Sequence, residues 1–177
     1  MKRQPILLAR TIVIGILLLF IVPQLFAELL NDGSFENQPS DWEEYYNTAC
    51  NAVSIGDWTS ALGEPPPDGQ QSFWAGGACG SVVANNGARQ EITFQPDAAL
   101  LSFWYLPFKE FADPQSNDIA VVAFDDTTIW ELNVDGITSP TGWNNAILDI
   151  TQFSDQTGTL SIEMQQNSDQ FVAPYLF

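Results

Sequence analysis

Apolar and polar side chains alternate in short runs along the C-terminal half of this chain. Between Thr159 and Gln165, Leu160, Ile162 and Met164 point one way while Ser161, Glu163 and Gln165 point the other. Arg89 to Gln95 repeats the pattern with Ile92 and Phe94 inward, and Asn145 to Thr151 repeats it again with Ala146, Leu148 and Ile150 inward. A period of two residues is that of a strand with one face in a core. Two stretches, Leu100 to Phe108 and Ile119 to Phe124, are apolar on both faces and read as central strands, or as strands covered on their second face. Asp125-Asp126-Thr127 between Ala120–Phe124 and Ile129–Leu132 suits a hairpin, and Gly136, Gly142 and Gly158 punctuate the later runs. No helical period of useful length follows residue 27. About eight or nine short strands with turn residues between them predict an all-β fold, an antiparallel β-sandwich.

Two regions depart from alternation. Gly56 to Gly80 contains Pro65-Pro66-Pro67-Asp68-Gly69 and reads as a long surface loop feeding a strand, since proline cannot donate to a sheet ladder. At the N-terminus, Lys2, Arg3 and Arg10 precede an apolar run, Ile12 to Val22, that Pro23 and Gln24 interrupt before Leu25-Phe26-Ala27. That order is the pattern of an export signal in a hydrophobic helix, with Ala27 at the cleavage point. A retained N-terminal anchor and a buried core helix are the alternatives. The run falls short of the roughly 20 residues a bilayer span needs. The expected division is therefore 1–27 as signal or anchor and 28–177 as one sandwich domain, secreted or displayed at the cell surface, touching a membrane only through an uncleaved N-terminus.

Composition narrows the chemistry. Beyond Ala27 only Arg89 and Lys109 are basic, against all 22 Asp and Glu, and the chain has no histidine. Such a body repels a phosphate backbone, which excludes nucleic acid as a partner. Without histidine it lacks the commonest general base and the imidazole metal ligand. Abundant aromatics, including six Trp, argue against disorder, so the acids belong on the surface of a folded body. Cys50 and Cys79 are the only cysteines. In an exported chain an isolated pair is expected as a disulfide, closing a loop of about 30 residues and stabilising the fold by about 3–4 kcal/mol in the chain-entropy view. Two unbridged buried thiols are the other reading.

The order of motifs carries a resemblance. Leu29-Leu30-Asn31-Asp32-Gly33-Ser34-Phe35-Glu36 with Trp42 after it resembles the opening of galactose-binding-like β-sandwich modules. Asp68 to Gly77, Arg89-Gln90-Glu91-Ile92, Leu100 to Tyr105, and Gly142-Trp143 leading into Ala146 to Ile150 follow in turn. Together, over about residues 29 to 175, they resemble the MAM-like jelly-roll domains of bacterial extracellular proteins, which are similar in pattern to carbohydrate-binding modules. The resemblance implies jelly-roll topology, a non-catalytic binding role and a structural Ca²⁺. Glu36 would supply a carboxylate to that ion, the turn from Asn31 to Ser34 backbone oxygens, and Asp57, before Trp58, a second acid. Such domains close on a strand with an acidic pair. Here Phe171 to Phe177 holds no Asp, so either the chain is truncated and lacks that last strand or the strand has diverged. The plain alternative for Glu36 and Asp57 is that both are solvated surface acids.

Glycan is the leading ligand class, because sugar C–H faces pack on exposed aromatic rings while Asn, Gln and Asp bond the hydroxyls. Trp104, Trp130 and Trp143 on or beside strands, and Trp58 at the long loop, are the candidate platforms. Trp130, alternating with Glu131 after the hairpin, is expected outermost. A buried core position is the ordinary fate of each. Catalysis has little to work with. Glu43/Glu44 and Asp125/Asp126 are adjacent and so point to opposite faces of a strand, and neither a His-based triad nor a GxSxG turn is present. A glycan-binding module is thus set against a structural or adhesive surface domain that binds protein through an open sheet edge. A glycoside hydrolase stands behind both.

Overall fold

A computed structural model of the 177-residue chain describes residues 30–46, 53–76, 83–107, 118–133, 142–166 and 175–176. The N-terminal segment 1–27, Cys50 and Cys79 lie outside the described residues. The strands are β1 (Glu43–Tyr46), β2 (Val53–Gly56), β3 (Ser72–Ala75), β4 (Ala84–Thr93), β5 (Leu100–Pro107), β6 (Ile119–Phe124), β7 (Thr127–Asn133), β8 (Asn144–Asp149), β9 (Thr157–Gln166) and β10 (Tyr175–Leu176). One helical turn, α1 (Thr59–Leu62), and a 3-10 turn at Thr151–Phe153 complete the list. No helix among the described residues is long and apolar enough to cross a membrane.

The strands form two five-stranded sheets, ordered β1-β4-β9-β6-β7 and β2-β3-β10-β5-β8, with every pairing antiparallel. Their inner faces meet in one core. Phe73 and Leu101 from the second sheet pack with Val122, Phe124, Leu160, Ile162 and Met164 from the first. Phe94, Phe124 and Phe153 close one end, with ring centroids 4.9 to 6.2 Å apart. The expected β-sandwich is the architecture found.

The alternation of β9 and β8 holds: Leu160, Ile162 and Met164 are buried, as are Ala146 and Ile150. β4 is longer than its apolar pattern. It begins at Ala84, and its inward positions include the buried polar residues Asn86 and Gln90 beside Ala88 and Ile92. Gln90 has a task that explains its place. Its Nε2 donates to the carbonyl of Asn31 at 2.8 Å, and its Oε1 accepts from the Asn31 amide at 3.0 Å. The side-chain amide thereby acts as a short strand partner, binding the N-terminal turn to the sandwich.

Trp130 does not sit outside, as the sequence suggested. Between Val122 and Ala123 the β6–β7 register slips: Val122 faces Trp130 but Ala123 faces Thr128, leaving Ile129 as the extra residue of a bulge. A bulge resets the phase of alternation. Ile129 and Trp130 both turn toward the core, where Trp130 meets Phe103 edge-on at 5.3 Å and Tyr105 at 4.8 Å.

β5 also departs from expectation. Its inner face is packed, but Leu100, Ser102 and Trp104 are exposed, so no described residue covers the second face over that length. The chain's last described residues do form a strand. Tyr175 pairs with Ala75 and Pro107, and Leu176 with Trp74 and Leu106, which sets β10 between β3 and β5.

Candidate functional site

The outer face of β5 and β8 gathers the most unusual surface among the described residues. In their register Leu100 faces Asp149, Ser102 faces Ile147 and Trp104 faces Asn145. Directly opposed residues of an antiparallel pair share a face. Leu100 is 65% exposed, Ile147 64% and Trp104 44%. All six Trp lie among the described residues, and Trp104 alone is exposed. Beside it Asn145 donates Nδ2 to the Phe103 carbonyl at 3.2 Å, which fixes the amide. At the far end Asp149 Oδ1 accepts from the Thr151 amide at 2.9 Å and its hydroxyl at 2.7 Å. Those bonds favour the ionised carboxylate and hold its pKa below the ordinary value.

Next to this face lies a cavity of about 420 Å³. Leu100 to Trp104 form one wall and Pro66, Pro67, Asp68 and Gln71 the other. Its floor is the core itself, with Phe35, Trp42, Val122, Leu160 and Ile162. Trp143 also borders it, and its Nε1 is buried with no hydrogen-bond partner among the described residues. Asp68 is the one charged residue of the lining.

The four candidate Trp therefore divide. Trp104 and Trp143 border one cavity. Trp130 faces the interior. Trp58 packs edge-on against Trp74 at 5.0 Å on the β2–β3 side, with β10 between it and β5. Sequence reasoning passed over Leu100, Ile147 and Asn145. Alternation does mark Ile147 and Asn145 as outward residues of β8, but nothing local says that no other layer lies over them.

The residues expected at calcium have other engagements. Glu36 Oε1 accepts from the amides of Gln70 at 2.6 Å and Gln71 at 2.7 Å. Asp57 Oδ1 accepts from the Thr59 amide at 3.0 Å, and the Thr59 hydrogen bonds lower its pKa. Asn31 is held through its backbone by Gln90. The densest acid chemistry of the N-terminal turn belongs to Asp32, whose Oδ1 accepts from the Asn37 amide and Oδ2 from the Ser40 hydroxyl. No group of three or more His, Cys, Asp or Glu stands together as a cation site among the described residues.

No protein-family model matches the chain. No curated protein matches it either. Solved structures do. The K1 cleaved adhesin domain of Lys-gingipain from Porphyromonas gingivalis is 14% identical with a TM-score of 0.56, covering 80% of this chain and 90% of that one. The K2 adhesin domain of Lys-gingipain is 12% identical with a TM-score of 0.55, covering 80% and 91%. TmCBM61, solved with β-1,4-galactotriose, is 12% identical with a TM-score of 0.46, covering 77% and 87%. At these identities the adhesin domains establish a shared sandwich fold and leave function to the site.

Proposed function

We propose that this protein is a non-catalytic extracellular binding module whose ligand is a glycan lying on the outer face of β5 and β8. The observation that carries this reading is Trp104, the one exposed Trp, fixed by its strand opposite Asn145. An indole on a sheet face offers a rigid plane to a pyranose C–H face at little entropic cost, and Asn145, Ser102 and Asp149 lie on the same face to bond hydroxyls. Hydrolysis finds no support in the cavity, because a glycosidase sets two carboxyls about 5–10 Å apart and the described lining holds only Asp68.

The test is a glycan array of neutral and acidic oligosaccharides, followed by titration of the best probe with Trp104→Ala and Trp58→Ala variants. Loss of binding with Trp104→Ala, and retention with Trp58→Ala, is the expected result. An array without hits from folded protein, or equal loss in both variants, overturns it.

A further inference from the structure

Four steps in the chain place Asn or Asp directly before Gly: Asp32-Gly33, Asp68-Gly69, Asn86-Gly87 and Asp135-Gly136. Such a step is chemically exposed, because glycine has no side chain to shield its amide nitrogen from the carboxyl or carboxamide carbon before it. Asp135-Gly136 lies outside the described residues, and the fold treats the other three differently. Asn86 is buried in β4, and Gly87 lies between β1 and β9 with the Ile162 carbonyl and the Tyr45 ring close against it. Asp32 is half-buried with both carboxylate oxygens engaged: Oδ1 accepts from the Asn37 amide at 2.9 Å and Oδ2 from the Ser40 hydroxyl at 3.1 Å. Its carbonyl accepts from the Phe35 amide at 3.1 Å and from Trp42 Nε1 at 2.9 Å, so backbone and side chain are both held. Asp68 and Gly69 are exposed, and among the described residues neither the Asp68 carboxylate nor the Gly69 amide makes a hydrogen bond.

We infer that Asp68 is a modification site at which this backbone isomerises, through a succinimide formed with Gly69 and opened to isoaspartate. The Gly69 nitrogen attacks Asp68 Cγ. A C–N bond forms, a C–O bond breaks, and the departing oxygen leaves as water with the amide proton and one proton from solvent. Water then opens the ring at either carbonyl and returns a proton to solvent. Opening at the former side-chain carbonyl restores Asp68. Opening at the main-chain carbonyl leaves the backbone running through Cβ and Cγ, with a carboxylate on Cα. Nothing is oxidised or reduced, and the product keeps the mass and charge of the parent. The longer backbone falls where the chain has little slack. Pro65, Pro66 and Pro67 precede it with φ fixed by their rings, and Glu36 Oε1 holds the Gln70 and Gln71 amides beyond it at 2.6 and 2.7 Å. The extra carbon therefore loosens the Glu36 clamp and displaces the cavity wall to which Asp68 belongs. The glycan reading plays no part in this inference.

The experiment incubates the full chain at neutral pH in warm buffer and, in parallel, in urea. Peptide mapping with electron-transfer fragmentation, which cleaves isoaspartate at its own characteristic bond, follows Asp32 and Asp68 over time. The expected result is isoaspartate accumulating about ten-fold faster at Asp68 than at Asp32, since two hydrogen bonds must open before the Asp32 carboxyl can turn. In urea the two rates should converge. Ser40→Ala should raise the Asp32 rate several-fold and leave the Asp68 rate as it was. Hydrogen exchange at the Gln70 and Gln71 amides should quicken in the aged sample as isoaspartate accumulates. The inference fails if Asp68 yields no isoaspartate, or if Asp32 isomerises as fast in the folded chain. It fails if the bias toward Asp68 persists in urea, because local sequence then sets it rather than the fold. Unchanged exchange at Gln70 and Gln71 in the isomerised chain overturns the loosened clamp.

Discussion

Replacing Glu36 with alanine removes one acceptor that holds two successive amides, those of Gln70 and Gln71, against the N-terminal turn. A bond to an ionised acceptor contributes more than a neutral one, but these amides are at the surface and water replaces the lost partner. The expected loss is about 1–2 kcal/mol for the pair. For a domain of this size that lowers the melting temperature by about 3–6 °C. Gly69 supplies an independent lever on the same clamp. Its φ is +77°, which favours glycine, and a Cβ there would collide with Glu36 Oε1. Gly69→Ala should therefore cost more in the parent than in Glu36→Ala, where only the left-handed backbone penalty of about 1 kcal/mol remains. Urea melts of the parent, both single variants and the double variant close the cycle. Run in EDTA and again in calcium chloride, they separate the clamp from a metal role. The clamp predicts the same Glu36→Ala loss in both buffers. A variant as stable as the parent in EDTA, and weaker only in calcium, refutes the reasoning.

Three further outcomes follow from the packing and the titrating groups. Trp130→Ala should destabilise by about 3 kcal/mol, since it empties the space between Phe103 and Tyr105, whereas the exposed Trp104→Ala should cost no more than about 0.5 kcal/mol; equal losses in denaturant melts would contradict the assigned facings. Burial and the neighbouring Glu163, to which its hydroxyl donates at 2.9 Å, raise the Tyr45 pKa, so its contribution is full below the ordinary phenol value of 10.0 and is lost as pH rises above it. Tyr45→Phe should flatten that alkaline decline in a pH series of melts. On the acid side, Arg89 lowers the pKa of Glu43, and Thr59 and Thr151 lower those of Asp57 and Asp149. Their contributions are present above the ordinary values of 4.5 and 3.8 and disappear as pH falls through the lower folded ones.

Much of the fold was legible because period-two alternation is a local property. β9, β8 and the second half of β4 could be read residue by residue, and the Asp125-Asp126 turn marked the β6–β7 hairpin. That turn does more than connect: Asp125, at φ +48°, accepts the Thr159 amide at 2.8 Å and so ties the hairpin to β9. The first half of β4 was not legible, because it holds few apolar residues and Asn86 is a polar residue at an inward position, as Gln90 is further along. The burial of Gln90 makes sense only once it is seen to pair with Asn31. Trp130 was misplaced although it alternates with the exposed Glu131 and shares the inward phase of Leu132; the bulge at Ile129 then turns that residue toward the core as well.

The sequence by itself determined that this chain makes strands, that they form a two-layer sandwich, and that the body of the chain is strongly acidic. These are consequences of side-chain period and charge, which need no knowledge of neighbours. Only the tertiary structure decided which apolar face stays uncovered. Leu100 and Trp104 sit in a run that is apolar on both faces, and with the outward Ile147 they become a candidate site because no described layer packs over the outer face of β5 and β8.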